Sequence, residues 1–409
     1  MSNRRDFLGT LAAGAALAGA SARVSAATSG GGAGRVIGAN DRIRFGLIGA
    51  GSRGKEILKA ALTCPNVEVV AVADAYTGRF DEARKIAPDV ATMQDHRKLL
   101  DDASIDAVLI ATPQHLHARH FVDAVGAGKD VYQEKTMAFN AEHARQMRNA
   151  LDGSGRVVQV GLQWNSSGGV QKVREQVKAG ELGAISLLET HHFRQTPYGG
   201  WTREVPKDFD ASQVDWNAFQ GDAKRVPFDA DRLFNWRFYW DYSGGNVYEN
   251  MVHIAAFWFA ALDLSIPETV SSTGGNFQSP RMNPPDAFQV TMKHPENLLF
   301  TFTSMFGNGF YGEGRNLLFG TKGTLVHSLA DLMHVVPNGK KVERDAPEGS
   351  FKNPTGLHLQ NFFDCVRSRS EPNSPFELGF RTAVACRMAI EAYRRGTTVR
   401  WDPATEEIV

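Results

Sequence analysis

The chain has 409 residues, of which 42% are hydrophobic and 40 are glycines, a composition that excludes a disordered, collagen-like or coiled-coil protein. Its 45 basic and 45 acidic residues balance, so no net field attracts nucleic-acid phosphates or anionic lipid, and we expect no nucleic-acid partner. Three scattered cysteines are too few for a disulfide framework or a metal knuckle, and we expect no metal site.

The sequence of residues 1–27 predicts an export signal. Arg4 and Arg5 precede a short apolar run rich in alanine and glycine, and small residues follow near Ala26. This order resembles a twin-arginine signal peptide, and the apolar run is too short to span a membrane. The glycine-rich residues 28–40 predict a flexible linker. We therefore expect an exported, periplasmic or otherwise extracytoplasmic protein without a stable membrane anchor.

A glycine-rich turn follows the first strand-like run of the folded part. The run IRFGLI leads into the turn GAGSRG, and a helical pattern comes next. Gly49 permits the tight turn, Gly51 lets backbone amides approach a pyrophosphate, and Gly54 allows close packing of helix on strand. Ser52 and Arg53 begin the helix, whose N-terminus carries partial positive charge, and we expect them to contact the cofactor.

The next strand, VEVVAVAD, ends at Asp74, where a carboxylate can accept hydrogen bonds from an adenosine ribose. This position favours NAD over NADP, because a carboxylate repels a 2′-phosphate. The nearby Arg79 keeps NADP open. A purely structural glycine turn in another doubly wound fold is the alternative to a nucleotide site.

Two further runs, DAVLIATP and DVYQEKT, predict parallel strands of the same sheet. Ligands of such sheets bind beyond the carboxyl ends of the strands. We therefore expect cofactor contacts at Thr112, Pro113, His115, His117, Glu134 and Lys135. Lys135 is the strongest candidate for chemistry, because burial at the ligand edge can lower the pKa of its ammonium group. Residues 41–162 are predicted to form this NAD(P)-binding Rossmann domain.

Residues 163–409 predict a substrate-binding and oligomerisation domain of α+β type. Several runs alternate polar and apolar residues and predict a large, open, mostly antiparallel sheet, so the whole chain is α/β in class. Two helices near the C-terminus are expected to pack back on the first domain. His191 and His192 point to opposite faces of their strand, so they do not form a metal site together.

The run VYENMVHIAAFWFAAL predicts a buried helix interrupted by Glu249 and His253. At i and i+4 these residues share a face, and we expect them to pair with each other or with a ligand. A structural pair that satisfies itself in the core is the alternative. The aromatic segment just upstream contains Trp240 and Tyr242, either of which can stack on a sugar ring or simply belong to the core.

From about Arg42 to the C-terminus, the chain resembles the glucose-fructose oxidoreductase, inositol dehydrogenase and MocA (Gfo/Idh/MocA) family. The resemblance depends on the ordered set GLIGAGSRG, AVAD, ATPQHLHA, DVYQEKT and SGGNVYENMVH, followed by HLQNFFDCVRSR and VRWDP. It implies that Lys135 matches the lysine of a Glu-Lys-Pro motif, which polarises the reacting hydroxyl, with Thr136 in place of the proline. It also implies face-to-face pairing of subunits through the second sheet, hence a homo-oligomer.

The resemblance further implies that Glu249 and His253 match an Asp and a His of the family's second-domain helix. Ala256 stands where a further Asp is often found, and Trp164 where an Arg is common. The predicted catalytic residues are Lys135, Glu249, His253 and Tyr242. The predicted substrate-binding residues are Gln163, Trp164, Trp240 and Tyr248.

These residues predict an NAD(P)-dependent oxidoreductase acting on a secondary hydroxyl of a sugar or cyclitol. Lys135 and His253 are expected to handle the hydroxyl proton, with Glu249 orienting His253. Because no free NAD pool is expected outside the cytoplasm, the cofactor should be non-dissociating. An NAD-dependent glycoside hydrolase that works by transient C3 oxidation, elimination and water addition is the alternative enzyme. A non-catalytic sugar or nucleotide sensor is the alternative from another class.

Overall fold

The computed structural model describes residues 41–309, 315–328, 333–340 and 353–409. The predicted export signal and linker therefore lie outside the described residues. Within these ranges, no helix combines the length and hydrophobicity that crossing a bilayer requires.

The first sheet is parallel. Its strands are β1 (Ile43–Ile48), β2 (Val67–Ala73), β3 (Ala91–Met93), β4 (Ala107–Ile110), β5 (Asp130–Gln133) and β6 (Val158–Val160). Their order across the described sheet is β3-β2-β1-β4-β5-β6, with every neighbouring pair parallel. The strand order reverses beside β1, which is the position where doubly wound sheets bind their ligands.

Helices connect the strands of the first sheet. They are α1 (Ser52–Ala61), α2 (Phe80–Ile86), α3 (His96–Leu100), α4 (His117–Gly126) and α5 (Ala141–Leu151). Two of them begin at side-chain caps: Asp95 accepts the Arg97 N–H at 3.0 Å, and Asn140 accepts the His143 N–H at 2.7 Å. The Rossmann-like architecture predicted from the sequence is confirmed.

The second sheet is mostly antiparallel, as predicted. Its strands are β7 (Ile185–Arg194), β8 (Thr269–Gly275), β9 (Ala287–His294), β10 (Leu298–Phe306), β11 (Arg315–Gly320), β12 (Gly323–Ser328), β13 (Met333–Pro337), β14 (Val399–Asp402) and β15 (Glu407–Ile408). Their described order is β13-β12-β11-β7-β10-β9-β8-β14-β15. The central pair, β7 and β10, is parallel. Subunit pairing through this sheet stays a prediction.

The remaining helices surround the second sheet. They are α6 (Gly169–Lys178), α7 (Trp216–Gln220), α8 (Ala230–Phe234), α9 (Val252–Leu262), α10 (Thr355–Ser368) and α11 (Phe376–Arg395). A π-helical turn, Val247–Met251, precedes α9. Residues 195–246, which we call the connecting segment, reach the first sheet: the Asp215 N–H donates to the Ala75 carbonyl at 2.8 Å.

The last two long helices cover both faces of the first sheet. Phe362 and Phe363 of α10 are buried in one core with Phe45 and Leu47 of β1. Helix α11 belongs to the other core, which joins β4, α5 and α9 and extends to the second sheet. Burial of each large side chain stabilises the fold by about 1.5–3 kcal/mol, so these contacts fix the two sheets relative to each other.

Candidate active site

A cavity of about 430 Å³ lies along the carboxyl edge of the first sheet. The glycine turn, Asp74, Thr112 and Pro113 line it from below, and the connecting segment covers it with Trp236 and Arg237, among others. Two further cavities of about 510 Å³ each lie near α6 and α9 and contain none of the predicted site residues. The first cavity is lined by most of the predicted cofactor-binding residues, whereas the predicted catalytic residues Lys135, Glu249, His253 and Tyr242 are not among its lining residues.

The glycine turn has the geometry that a dinucleotide needs. Gly49 has a φ of +96°, and its N–H donates to the Ala73 carbonyl at 2.8 Å. A Cβ on Gly54 would lie 1.9 Å from the Gly49 carbonyl oxygen. At Gly51 the nearest atom would be Arg79 Nη1 at 3.6 Å, so the crevice in front of Gly51 is open to a pyrophosphate.

Asp74 already has several partners. Its Oδ2 accepts the Ala50 N–H at 2.7 Å, and its Oδ1 accepts the Tyr76 N–H at 2.9 Å. Arg79 Nη1 donates to both oxygens, at 3.1 and 3.3 Å. The carboxylate therefore ties the end of β2 to the glycine turn, and a ribose hydroxyl can take the position that Arg79 holds.

Arg53 and Glu134 form an ion pair at the same edge. Arg53 Nε donates to Glu134 Oε1 at 2.8 Å, and Glu134 Oε2 accepts the Lys135 N–H at 3.2 Å. Burial acts against the charge of Arg53, but Glu134 outweighs it and raises the pKa of the guanidinium. Arg53 Nη2 is buried with no partner among the described residues, which leaves a donor for an anionic ligand.

The predicted cofactor contacts of His115 and His117 are not found. His117 is fully buried between the carbonyl oxygens of Thr136 and Thr112, at 2.7 and 2.9 Å. His115 Nε2 donates to the Phe219 carbonyl, 2.8 Å away, and the ring packs against Tyr242. Neither residue lines the cavity, because the short 3-10 helix Gln114–Leu116 turns both imidazoles into the protein.

Lys135 and Glu249 meet across the two halves of the chain. Lys135 Nζ donates to Glu249 Oε2 at 2.7 Å and to the Glu249 carbonyl at 3.3 Å. Burial lowers the pKa of the Lys135 ammonium, while Glu249 acts in the opposite direction. The peptide bond between Lys135 and Thr136 is cis. Both charged side chains are at most 14% exposed, so their interaction is strengthened by the low local dielectric.

Glu249 has two more partners from distant parts of the chain. Its Oε1 accepts a hydrogen bond from Gln114 Nε2 at 2.7 Å and lies 3.2 Å from Arg237 Nε. Burial alone would raise the pKa of Glu249, but Arg237 and Lys135 outweigh it and hold the pKa at about 2. Glu249 is therefore an ionised carboxylate fixed between two cations.

The predicted pairing of Glu249 with His253 is wrong. The carboxylate oxygens of Glu249 are taken by Lys135, Gln114 and Arg237, and His253 Nδ1 is buried without a partner among the described residues. The physical reason is competition for the carboxylate, because the cations Lys135 and Arg237 lie 2.7 and 3.2 Å from its oxygens and interact with it more strongly than a neutral imidazole does. Burial, followed by the charges of Lys135 and Arg53, lowers the pKa of His253 well below its usual value. His253 is thus a neutral imidazole close to the Lys135 ammonium.

Three predicted aromatic site residues pack into the protein instead. Tyr248 is fully buried, and its hydroxyl donates to the Phe139 carbonyl at 2.5 Å. Trp240 packs against Tyr393 of α11, with ring centroids 6.3 Å apart. Tyr242 is also fully buried, between His115 and Phe219. Burial raises the pKa of its hydroxyl, which opposes a role as a base.

Gln163 and Trp164 lie in the short 3-10 helix Gln163–Ser166, after β6. Trp164 is 8% exposed and belongs to the large core, so its predicted contact with substrate is not supported. Gln163 Oε1 is buried without a partner among the described residues and stays a candidate for a ligand contact.

Sequence reasoning missed Arg237 as a partner of Glu249 and considered Arg79 only for the choice between NAD and NADP. Arg237 contacts Glu249, and Arg79 contacts Asp74, yet neither residue falls in a glycine or strand-end motif. The signal that indicates them is indirect: a buried carboxylate requires a cationic or hydrogen-bonding partner. The sequence indicated His253 as the partner of Glu249. The aromatic segment that contains Arg237 was considered for stacking on a sugar ring.

Residues 43–162 match the GFO_IDH_MocA family model, an oxidoreductase family with an NAD-binding Rossmann fold. An inositol 2-dehydrogenase of Salmonella paratyphi B is 30% identical over 154 residues, which are 37% of this chain and 46% of that relative. A 2,7-anhydro-N-acetylneuraminate hydratase of Escherichia coli K12 is 26% identical over 69% of this chain and 67% of its own length.

Among solved structures, a levoglucosan dehydrogenase in complex with NADH and levoglucosan superposes with a TM-score of 0.68. The superposition covers 88% of this chain and 99% of that protein at 17% sequence identity, so it shows a shared fold. The aligned region spans slightly less than half of the length of the inositol dehydrogenase. The family match is thus concentrated in the nucleotide-binding half.

Proposed function

We propose that this chain, which carries the NAD-binding Rossmann domain of the Gfo/Idh/MocA oxidoreductase family over residues 43–162, is an NAD(P)-dependent oxidoreductase. It transfers a hydride between the nicotinamide cofactor and a secondary hydroxyl of a sugar or cyclitol. The observation that carries the proposal is the contact of Lys135 with Glu249, beside His253 and at the edge of the sheet that holds the glycine turn. An inositol dehydrogenase and a levoglucosan dehydrogenase among the similar proteins support the substrate class.

When bound, the nicotinamide ring supplies the hydride acceptor. The chain's own residues handle the proton of the substrate hydroxyl. Burial lowers the pKa of Lys135, which is the direction that favours its amine as a general base. Glu249 holds the Lys135 nitrogen in place, and the unpartnered Nδ1 of His253 is available to the same hydroxyl.

The crevice residues fit a dinucleotide. Gly51 leaves room for the pyrophosphate, Arg53 has a free donor, and Asp74 lies at the end of β2, where the ribose hydroxyls bind in such folds. We propose NAD as the cofactor. NADP remains compatible with the site, because Arg79 neutralises the charge of Asp74.

We also propose that the protein is exported by the twin-arginine route with its cofactor already bound and retained. The paired arginines of the signal-like N-terminus support export. The connecting segment supports retention, because Arg203, Trp236 and Arg237 cover the cavity opposite the glycine turn. Mass spectrometry of the exported protein after extensive dialysis will detect one dinucleotide per chain. Recovery of the exported protein free of dinucleotide would contradict retention.

The central test uses purified protein saturated with NAD. Addition of a panel of myo-inositol, levoglucosan and simple methyl glycosides should produce the reduced-nicotinamide absorbance band together with a ketone product. His253→Ala should lower kcat by about 10²-fold, the low end expected for loss of one acid–base group, without loss of NADH binding. His294→Ala, which replaces a buried histidine of the second sheet, is the control for general damage. Full turnover by His253→Ala would contradict its assignment.

One observation favours a second candidate function. The similar hydratase matches 69% of this chain, against 37% for the inositol 2-dehydrogenase, and hydration is a reaction without net oxidation. The corresponding proposal is an NAD-dependent glycoside hydrolase that oxidises C3 transiently, eliminates the C1 substituent, adds water and reduces the ketone again. Release of free sugar from a glycoside without net change of cofactor would favour it over the oxidoreductase.

A further inference from the structure

The inner face of the second sheet changes from apolar to polar along the parallel pair β7 and β10. Leu188 lies opposite Phe300, the next two rows on this face pair Thr190 with Phe302 and His192 with Ser304, and the last row pairs Arg194 with Phe306. The Phe300 ring packs on Phe259 of α9, with centroids 6.3 Å apart, so the start of this face is ordinary core. The row of His192 and Ser304 breaks that apolar pattern.

This polar row lies next to the helical segment that carries Glu249. Ser304 Oγ accepts a hydrogen bond from Asn246 Nδ2 at 2.9 Å and donates to the His192 carbonyl at 2.5 Å. Asn246 directly precedes the π-helical turn, and Asn250 Nδ2 donates to Asn246 Oδ1 at 2.7 Å. The main chain of His192 is thereby fixed beside the segment that supplies the catalytic carboxylate.

The imidazole of His192 has no partner of its own. The side chain is buried, with 6% of the residue exposed, and both ring nitrogens lack a hydrogen bond among the described residues. His117 and His358 are satisfied at both ring nitrogens, the first between two carbonyl oxygens and the second by Ser166 and the Val160 carbonyl. The buried His115, His294 and His327 each lack a partner at one nitrogen but have one at the other. An unpartnered buried polar group destabilises the fold, so a structural role alone does not account for His192.

In addition to the contact of its main chain with Ser304, which Asn246 also contacts, His192 acts electrostatically on His253. Lys135, Arg53, Glu249 and His192 all act on the pKa of His253. Burial, assisted by Arg194, lowers the pKa of His192 to about 3, so its imidazole is neutral. A neutral imidazole offers one N–H donor and one nitrogen acceptor, which is the pair that a hydroxyl group can satisfy. Such a low pKa also makes His192 a weak base, which favours binding over proton abstraction.

We propose that His192 binds a second hydroxyl of the carbohydrate, distinct from the one that is oxidised, and thereby selects among polyhydroxylated substrates. The inference rests on the proposed function, because it takes the ligand to be a sugar or cyclitol. His192 is a specificity residue in this assignment, while Lys135 and His253 handle the reacting hydroxyl.

The test measures carbohydrate binding to the NADH-loaded protein by calorimetry. The panel contains myo-inositol, levoglucosan, the methyl glycosides of glucose, galactose and mannose, and monodeoxy analogues of each sugar that binds. His192→Leu removes the hydrogen bonds, and His192→Gln retains a donor and an acceptor. His191→Gln is the matched control, because His191 lies on the opposite face of β7, 3.3 Å from Glu189.

His192→Leu should raise the Kd of the parent sugar about 10- to 100-fold, and His192→Gln should recover part of that loss. His191→Gln should bind like the wild type. One monodeoxy analogue should bind to the wild type and to His192→Leu with equal Kd, because the hydroxyl that His192 contacts is then already absent. A merely structural histidine would not produce this selective result.

The inference is overturned if His192→Leu weakens the parent and every deoxy analogue by the same factor, or weakens none of them. A sugar that binds through His192 but never reduces the cofactor would contradict the proposed oxidoreductase and support the hydroxyl contact. Failure of the wild type to bind any member of the panel would overturn both proposals.

Discussion

The dinucleotide end of the site and its substrate end differ in how their polar groups are satisfied. At the first end, both oxygens of Asp74 have partners in the protein, from the Ala50 and Tyr76 amides and from Arg79. At the second end, His192 and the Nδ1 of His253 are buried without partners among the described residues. The Lys135–Glu249 pair lies between them.

This contrast shows at which end of the site the protein's own groups satisfy the hydrogen bonds. The dinucleotide end is preorganised, because its donors and acceptors already hold one another in position. The substrate end keeps its hydrogen-bonding capacity for the ligand, at a cost in folding free energy that ligand binding can recover. Variants at the first end should therefore alter cofactor affinity, and variants at the second end should alter turnover or substrate choice.

Replacement of Lys135 is expected to cause the largest change in turnover. Lys135→Ala should lower kcat by about 10²- to 10⁴-fold, the range expected for loss of a general acid–base group. NADH affinity should change far less, because Lys135 contacts Glu249 rather than the glycine turn. Steady-state kinetics and NADH fluorescence titration measure the two effects. Lys293→Ala, at an exposed lysine paired with Glu268, is the control. A kcat within tenfold of the wild type would remove Lys135 from the mechanism.

Two glycine variants separate folding from cofactor binding. Gly51→Ala should fold normally, because φ is −65° there and the new Cβ would meet nothing closer than 3.6 Å. It should nevertheless weaken NADH binding by about 10²-fold, because the methyl group occupies the approach of the pyrophosphate. Gly54→Ala should lower the Tm, since its Cβ would lie 1.9 Å from the Gly49 carbonyl. Equal NADH affinity of Gly51→Ala and the wild type would refute the pyrophosphate assignment.

Glu249 should make folding stability depend on acid pH. Its pKa is about 2 in the folded protein against a usual value of 4.5, so its contribution is present above pH 4.5 and is lost as pH falls toward 2. That difference corresponds to about 3 kcal/mol of unfolding free energy.

Glu249→Gln should be less stable than the wild type at neutral pH and should lose less stability on acidification. Urea denaturation at pH 6, 4 and 3 measures both effects, with Glu377→Gln as the exposed control. Parallel pH profiles of the wild type and Glu249→Gln would show that Glu249 is not held ionised.

The smallest expected effect concerns cofactor choice. Asp74→Ala should weaken NADH binding about tenfold, a typical loss for a hydrogen bond to a charged group. It should weaken NADPH binding less, because Arg79 loses its partner Asp74 and can contact a 2′-phosphate. Fluorescence titration with both dinucleotides gives the ratio of the two affinities. In the double variant Asp74→Ala/Arg79→Ala, the relative gain for NADPH should disappear. A gain that persists without Arg79 would contradict this role.

The fold and the glycine turn could be predicted because their signals are local. Strand, turn and helix follow one another within a few residues, and Gly49 and Gly54 are required by contacts inside that unit. Asp74 was also found locally, at the end of β2. Its partner Arg79 was recognised only as a charge nearby, because the sequence does not show which way a long side chain turns.

The substrate end could be predicted only in part because its contacts join distant segments. Lys135 was found from its strand end, but Arg237 and Gln114 reach Glu249 from separate parts of the chain. The carboxylate oxygens of Glu249 contact these residues and Lys135 rather than His253, and helical spacing alone does not reveal partners from distant segments. In the aromatic segment, Trp236 lines the cavity while Trp240 faces α11, a choice that composition does not determine.

The two C-terminal helices have a consequence for how this chain can be divided. The family match ends at residue 162, yet Phe45 of β1 packs on Phe363 of α10, with ring centroids 5.6 Å apart. A fragment truncated at that match boundary would expose this apolar surface to water and invite aggregation. The matched region is therefore shorter than the region that shares its core, and we expect the nucleotide-binding half to need the C-terminal helices for its native packing.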